Sequence, residues 1–313
     1  MPELISTKVA LRVAYSALLL LLVLLLPISS IRLDLDDVIP MTWLISVFAF
    51  LAIYGWYRNI PKLEMFCECA AVVIAGIFLL MILSYIAASF NQPLIDDVLW
   101  SLDKALGFDW PWFVRLLDSS ALTMKVLTHA YGSMIFQLLL IPALLITIKQ
   151  APRAYVMLAS FLTLAMVSCI VFIWTPAMGA FPTSGLRIAD FANARMNTAN
   201  FMPDLMEVRK AIVYPLLLEK MSGLISMPSV HAGAALICAW ATWRVPVLKY
   251  VVSTLNIVMS IAAIILGGHY LVDIFAGWAV AALVIYAVLS FCRWYEKTRI
   301  ARSQTTTAMQ APA

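Results

Sequence analysis

Two short stretches hold the residues whose types and spacing could do chemistry. Ser226-Met227-Pro228-Ser229-Val230-His231 opens one apolar segment, and Gly267-Gly268-His269-Tyr270-Leu271-Val272-Asp273 opens another. The chain has only 3 histidines, and two of them sit here, each at the mouth of a hydrophobic run. An ionisable group at the edge of a membrane span is costly without a partner, which makes both functional candidates. On a helix, His269 and Asp273 share a face at i and i+4. The carboxylate can then hold one imidazole nitrogen as a donor. The other nitrogen is left as a nucleophile, and the cation formed on attack is stabilised. The glycines before His269 clear space where a bulky group would approach the ring. Pro228 suits a helix's first turn, and Ser226 or Ser229 can cap it. Free N–H groups and the dipole there favour an anion such as phosphate. His231, beside that pocket, is placed to give a proton to a leaving oxygen. The plainer readings are a satisfied polar pair for His269–Asp273, and simple capping with a snorkelling histidine for Ser229–His231.

The rest of the chain must bring these two mouths together. Hydrophobic residues make up 64% of 313 residues and charged ones 12%, far outside the soluble range. The apolar residues come in runs near the length that spans a bilayer as a helix. The expectation is an all-α polytopic membrane helix bundle with about eight transmembrane helices. Lys8 and Arg12 precede a leucine-rich run ending near Ile28, too long for a usual signal peptide core and without an A-x-A site, so it reads as a retained first span. Further spans are expected around Ile39 to Tyr57, Glu68 to Phe90, Lys125 to Ile148 and Tyr155 to Thr175. Pro228 to Trp243, Val245 to Leu266 and His269 to Cys292 complete the set. Residues 1–90 then form N-terminal helices, 91–124 an outer interfacial segment bearing Trp100, Trp110 and Trp112, and 125–292 the catalytic bundle. The bundle includes an outer loop, 176–226. Residues 293–313 are a cytoplasmic tail, disordered from Arg302.

Charge orients this topology. With the amino terminus inside, every inner loop is basic, through Lys8, Arg12, Arg58, Lys62, Lys149, Arg153, Arg244, Lys249, Arg293 and Lys297. Both termini are then cytoplasmic, and His231 and His269 reach the same non-cytoplasmic face. Net charge is a modest +4, which gives no electrostatic footprint for nucleic acid. The 5 cysteines lie in or beside apolar spans, so no disulfide framework is expected. No set of ligands has metal-site spacing, and neither a metal nor a cofactor is expected. The 11 glycines are scattered and form no nucleotide-binding loop.

Pro228-Ser229-Val230-His231 and Gly268-His269-Tyr270-Leu271-Val272-Asp273 together resemble the second and third motifs of the type 2 phosphatidate phosphatase superfamily. The resemblance covers roughly the last two-fifths of the chain, and Leu102-Asp103-Lys104-Ala105-Leu106-Gly107-Phe108-Asp109-Trp110-Pro111 is vaguely similar to bacterial members. It implies that His269 attacks phosphorus, Asp273 orients it, His231 protonates the leaving group and Ser229 contacts phosphate. It also implies a six-helix core, with the first two helices as an addition. The sequence departs from the phosphatase pattern where Ala262 and Ala263 replace Ser-Arg. In the first motif, Arg195 with Met202-Pro203 is a poor echo. Loss of the arginine resembles the branch containing inositol phosphorylceramide synthase and sphingomyelin synthase, which transfers a phospho-headgroup between lipids.

Phosphate still needs positive charge. Arg187, Arg195, Arg209 and Lys210 in the outer loop are candidates to supply it, against the alternative of solvated charges near headgroups. His129, at the outer end of the fourth span, either lines the pocket or anchors the helix. The expected partners are the bilayer and a lipid phosphate, and the expected location is a bacterial inner membrane with the site facing the periplasm. The reading of a different class is a lipid transporter or flippase, which would place ionisable groups near the midplane.

Overall fold

Helix α7 (Ala151–Trp174) is the axis around which the chain is arranged, with Tyr155, Met157 and Phe172 among its fully enclosed side chains. A helix apolar on all sides must be surrounded by others or by lipid. Around α7 stand α1 (Leu4–Leu25), α3 (Pro61–Ser89), α6 (Ala121–Thr147), α10 (Val230–Thr242) and α12 (Leu271–Gln310). Helix α11 (Leu248–Leu266) closes the ring between α6 and α10. The computed structural model describes residues 2–194, 198–217 and 221–310 of this all-α bundle.

Local sequence explains where the helices begin. Asp34 caps α2 (Leu35–Tyr57), Ser120 caps α6 and Ser229 caps α10, each accepting a first-turn N–H. Prolines sit in the first turn of α3 and α7, where no intrahelical N–H is lost. Helix α2 packs mainly on α3 and turns Trp43, Phe50 and Trp56 outward, as a lipid-facing helix should. Between α6 and α11, Asn256 donates to Gln137 Oε1 at 2.7 Å, a polar link between helices in an apolar medium.

Among the described residues, 7 helices are long and apolar enough to cross a membrane. The remaining expected span, Pro228 to Trp243, holds a helix of only 13 residues, Val230–Thr242. Its length is about 20 Å, short of the hydrocarbon thickness of about 30 Å. Non-helical backbone leads into it, with Leu224, Ser226 and Ser229 almost fully enclosed. Irregular backbone is tolerated at membrane depth only when buried in protein in this way. A second difference lies at the other end of the chain. Helix α12 runs on to Gln310, where the sequence reading expected disorder from Arg302. Extending an existing helix needs no new nucleus, so the polar Ser-Gln-Thr stretch can follow the span.

The connections between α3 and α6 and between α7 and α10 are structured. Residues 91–124 hold two short helices, α4 (Asp96–Ala105) and α5 (Trp110–Asp118). Trp112 is exposed, but Trp110 is only 1% exposed and donates its indole N–H to the Ile264 carbonyl. It is therefore a core anchor, where the sequence pattern suggested interfacial placement. The connection between α7 and α10 contains α8 (Ala180–Thr183), α9 (Thr198–Lys210) and strand β2 (Tyr214–Leu216), which pairs in parallel with β1 (Ile31–Leu33). That small sheet ties the loop before α10 to the turn between α1 and α2.

Candidate active site

The turn between α11 and α12 sets the position of His269. Gly268 has φ +65° and its carbonyl accepts the Ala180 N–H at 2.6 Å. A side chain at Gly179, where φ is +98°, would lie 2.6 Å from that same oxygen, so the close approach of the two loops requires glycine. The His269 ring is then held on both nitrogens. Nδ1 lies 3.3 Å from Asp273 Oδ2, and Nε2 lies 3.3 Å from Ser229 Oγ. Asp273 Oδ2 also accepts from the Tyr270 N–H at 3.0 Å and from Ser226 Oγ at 3.2 Å. Three donors converge on one carboxylate oxygen that is fully enclosed, so Nδ1 is the protonated nitrogen and Nε2 carries the lone pair.

Helices α10 and α12 meet closely to allow this. Ser229 N–H donates to the Asp273 carbonyl at 3.1 Å. Gly277 faces the Ser229 carbonyl with no room for a side chain, and Gly233 lies against Leu164 and the Gly277 carbonyl. Two glycines at one crossing let the backbones touch, as in other close membrane helix pairs.

His231 and His269 open onto one cavity of about 140 Å³ bounded by α3, α6, α7, α9 and the 223–231 segment. Its other walls are almost entirely apolar, among them Leu80, Met134, Phe161 and Phe201. The His231 ring stacks on Tyr131, with centroids 4.0 Å apart and planes within 14°. The arrangement provides a fixed nucleophilic nitrogen, a second imidazole for proton transfer and a capped helix start, all facing a space that favours hydrocarbon.

The structure thus brings together His231, His269, Asp273 and Ser229. The basic candidates stand elsewhere. Arg187 pairs with Asp190 at 3.2 Å on an exposed turn. Arg209 is buried, donates to the Gln92 carbonyl at 2.7 Å, and has its other terminal nitrogen enclosed without a partner. Burial lowers its pKa while nearby Asp96 raises it. Arg195 lies outside the described residues, and Lys210 is exposed. His129 is exposed and donates from Nδ1 to its own helix at the Lys125 carbonyl, 2.7 Å away. Among the described residues, no His, Cys, Asp and Glu side chains form a group of three able to hold a metal ion.

The PAP2 superfamily matches residues 97–287, more than half of the chain, and the match contains Ser229, His231, His269 and Asp273. The chain belongs to the PAP2 superfamily. No curated protein and no solved structure matches it. As a PAP2 protein it is a phosphatase-type lipid phosphoesterase built on membrane helices. The matched region begins after α3, so α1, α2 and α3 all lie outside it.

Several supporting residues of this PAP2 site were not singled out by the sequence reading. Tyr131 stacks on His231. Asp103 of α4 accepts the Leu271 and Val272 N–H groups at 2.8 and 3.0 Å, capping the start of α12 from another element. Asp96 accepts from Met178, Gly179 and the Tyr270 hydroxyl, each at 3.0 Å. Asp96, Leu99 and Asp103 share one face of α4, and a carboxylate on an apolar helical stripe was the available signal.

Proposed function

We propose that this PAP2 protein cleaves or transfers the phosphate, or phospho-headgroup, of a lipid phosphate ester at the non-cytoplasmic membrane face through a phosphohistidine on His269. The observation that carries this is His269 held between Asp273 and Ser229 at 3.3 Å each, with His231 on the same cavity. The phosphate enters at the start of α10, where Ser229 Oγ and the free N–H groups of the first turn receive its oxygens. His269 Nε2 attacks phosphorus, forming the N–P bond as the bond to the lipid oxygen breaks. Protonated His231 gives its proton to the departing alkoxide. Asp273 balances the charge that the imidazole acquires. In the second half, neutral His231 takes a proton from the acceptor hydroxyl, whose oxygen displaces His269 from phosphorus. The enzyme returns to its starting protonation state.

Transfer to an alcohol, as in inositol phosphorylceramide synthase, is supported over hydrolysis by two features. Ala262 and Ala263, where the phosphatase motif has Ser-Arg, are fully enclosed and bring no positive charge. The cavity is also lined mainly by hydrocarbon, which excludes water and favours a lipid acceptor. Incubation of the purified protein with labelled lipid phosphates, with and without ceramide, diacylglycerol and polyols, separates the alternatives. New labelled lipid indicates transfer, free phosphate indicates hydrolysis, and neither product with any substrate overturns the reading. Orientation is checked with a cysteine at Gly223, expected to label from outside in intact cells; labelling only after permeabilisation would place the site inside.

A further inference from the structure

Beside the catalytic cavity lies a second hollow of about 270 Å³. Its walls come from Ile74 and Phe78 of α3, Ile135 and Leu139 of α6, and Met41 of α2. Ile77 and Met81 line both spaces, so the two are neighbours that share a wall on α3. The direction from one to the other follows from the helix. Ser84 borders the catalytic cavity, while Val73, eleven residues earlier, borders the groove. At the α-helical rise the step from one to the other descends about 16 Å from the level of the histidines toward the middle of the span. Every residue bordering the groove is apolar, and Ile135 is 48% exposed, so the groove opens sideways to the bilayer between α3 and α6.

We infer that this groove seats one hydrocarbon chain of the lipid phosphate whose headgroup is held at His269, and that α2 supplies part of its outer wall. The inference rests on the phosphoesterase reading of the histidine cavity. A chain leaving that cavity has an apolar route past Ile77 and Met81, running along the membrane normal as lipid chains do. Moving hydrocarbon from lipid to groove removes little water, so the groove contributes little binding by the hydrophobic effect. Its contribution is registry: a chain laid along α3 fixes the depth of the phosphorus atom relative to Nε2, and attack depends on that distance. Met41, Met81 and Met221 border it, and flexible thioether side chains tolerate chains of differing shape.

The test uses n-alkyl phosphates of short and long chain in nanodiscs. For Ile135→Trp and Leu139→Trp, which narrow the groove from the α6 side, the ratio of kcat/KM for long over short chains is expected to fall at least about tenfold. An unchanged ratio overturns the inference. A measurement on the unaltered protein covers the case of a variant that fails to fold. A long-chain alkyl phosphate with a diazirine at its terminal carbon should crosslink within residues 73–81 or 135–139, with labelling suppressed by excess unlabelled substrate. Labelling there that matches a phosphate-free alkyl probe and resists competition overturns it. His269→Ala separates the two levels. If that variant still turns over the short-chain ester, the catalytic reading fails. If it is inactive and the chain-length ratio of the groove variants is unchanged, only the groove assignment fails.

Discussion

Gly277→Ala is the sharpest test of how the two motif helices are joined. The added methyl would fall inside the contact distance of the Ser229 carbonyl oxygen, 3.2 Å from its carbonyl carbon and 3.3 Å from Ala232 Cβ. That carbonyl cannot swing aside, because it accepts the Gly233 N–H at 3.0 Å in the first turn of α10. Relief requires α10 to retreat from α12 by about 1 Å to restore an ordinary contact. The Ser229 Oγ to His269 Nε2 separation, 3.3 Å in the structure, then opens beyond hydrogen-bond reach. Overpacking of this kind costs about 1–3 kcal/mol of stability. A displacement of that size at reacting groups costs about 100-fold in rate. The expected outcome is a small drop in melting temperature in detergent with a large drop in kcat/KM on a soluble aryl phosphate. Gly132→Ala, where nothing lies within 4 Å, is the control and should change neither. If Gly277→Ala keeps its full rate, the close α10–α12 crossing does not set the catalytic geometry.

Three further predictions follow from the same geometry. His231→Ala is expected to be far more damaging with alkyl than with activated aryl phosphates, whose phenolate leaves without a proton; equal losses in paired kcat/KM measurements would remove His231 as the acid. Asp103 has its pKa raised, first by burial and then by the nearby Asp273 carboxylate, against the pull of the two N–H groups it accepts. Folding therefore takes up a proton there. The stability this contributes is present below the ordinary carboxylate value of about 4 and is lost as pH rises through the higher folded value. Melting midpoints recorded across that window should fall with rising pH, and Asp103→Asn should flatten the slope; an identical slope in the variant would contradict the assignment. Turnover should persist in excess chelator, because the nucleophile is a side chain. Loss restored by Mg²⁺ or Zn²⁺ would oppose a covalent histidine mechanism.

The candidate site was legible because its signals are local. His269 and Asp273 sit one helical turn apart, and Pro228-Ser229 opens a helix, so spacing alone places them at helix mouths. Their supports were hidden because they act across the chain. Asp103 caps a helix that begins at Leu271, and Tyr131 meets His231 through the packing of α6 on α10. Nothing in the local pattern of either segment names its partner. The fate of Arg187 could have been read, since Asp190 three residues on offers it a neighbour. Arg209 could not, because its acceptor is the Gln92 carbonyl, 117 residues away in the chain. The length of α10 was overstated because an apolar run does not distinguish helix from buried extended backbone. The run continues through Pro228, but the helix starts only at Val230.

The placement of α1 has a consequence for how the protein is made. Its shielded stripe, Ala10, Leu11, Ala14, Leu18 and Leu22, packs chiefly on α7 and α12. Near its start, Ser6 donates to Glu296, and Glu3 meets Arg299. Helix α1 therefore completes its contacts only once α12, far later in the chain, has been made. At synthesis rates of about 5–20 residues per second, α1 waits on the order of ten seconds for α7 and longer for α12. Through that interval Ser6, Thr7 and the alanine–leucine stripe of α1 face lipid or the insertion machinery. A nascent chain stopped before α12 leaves Ser6 and the part of that stripe that packs on α12 uncovered, even after α7 has docked.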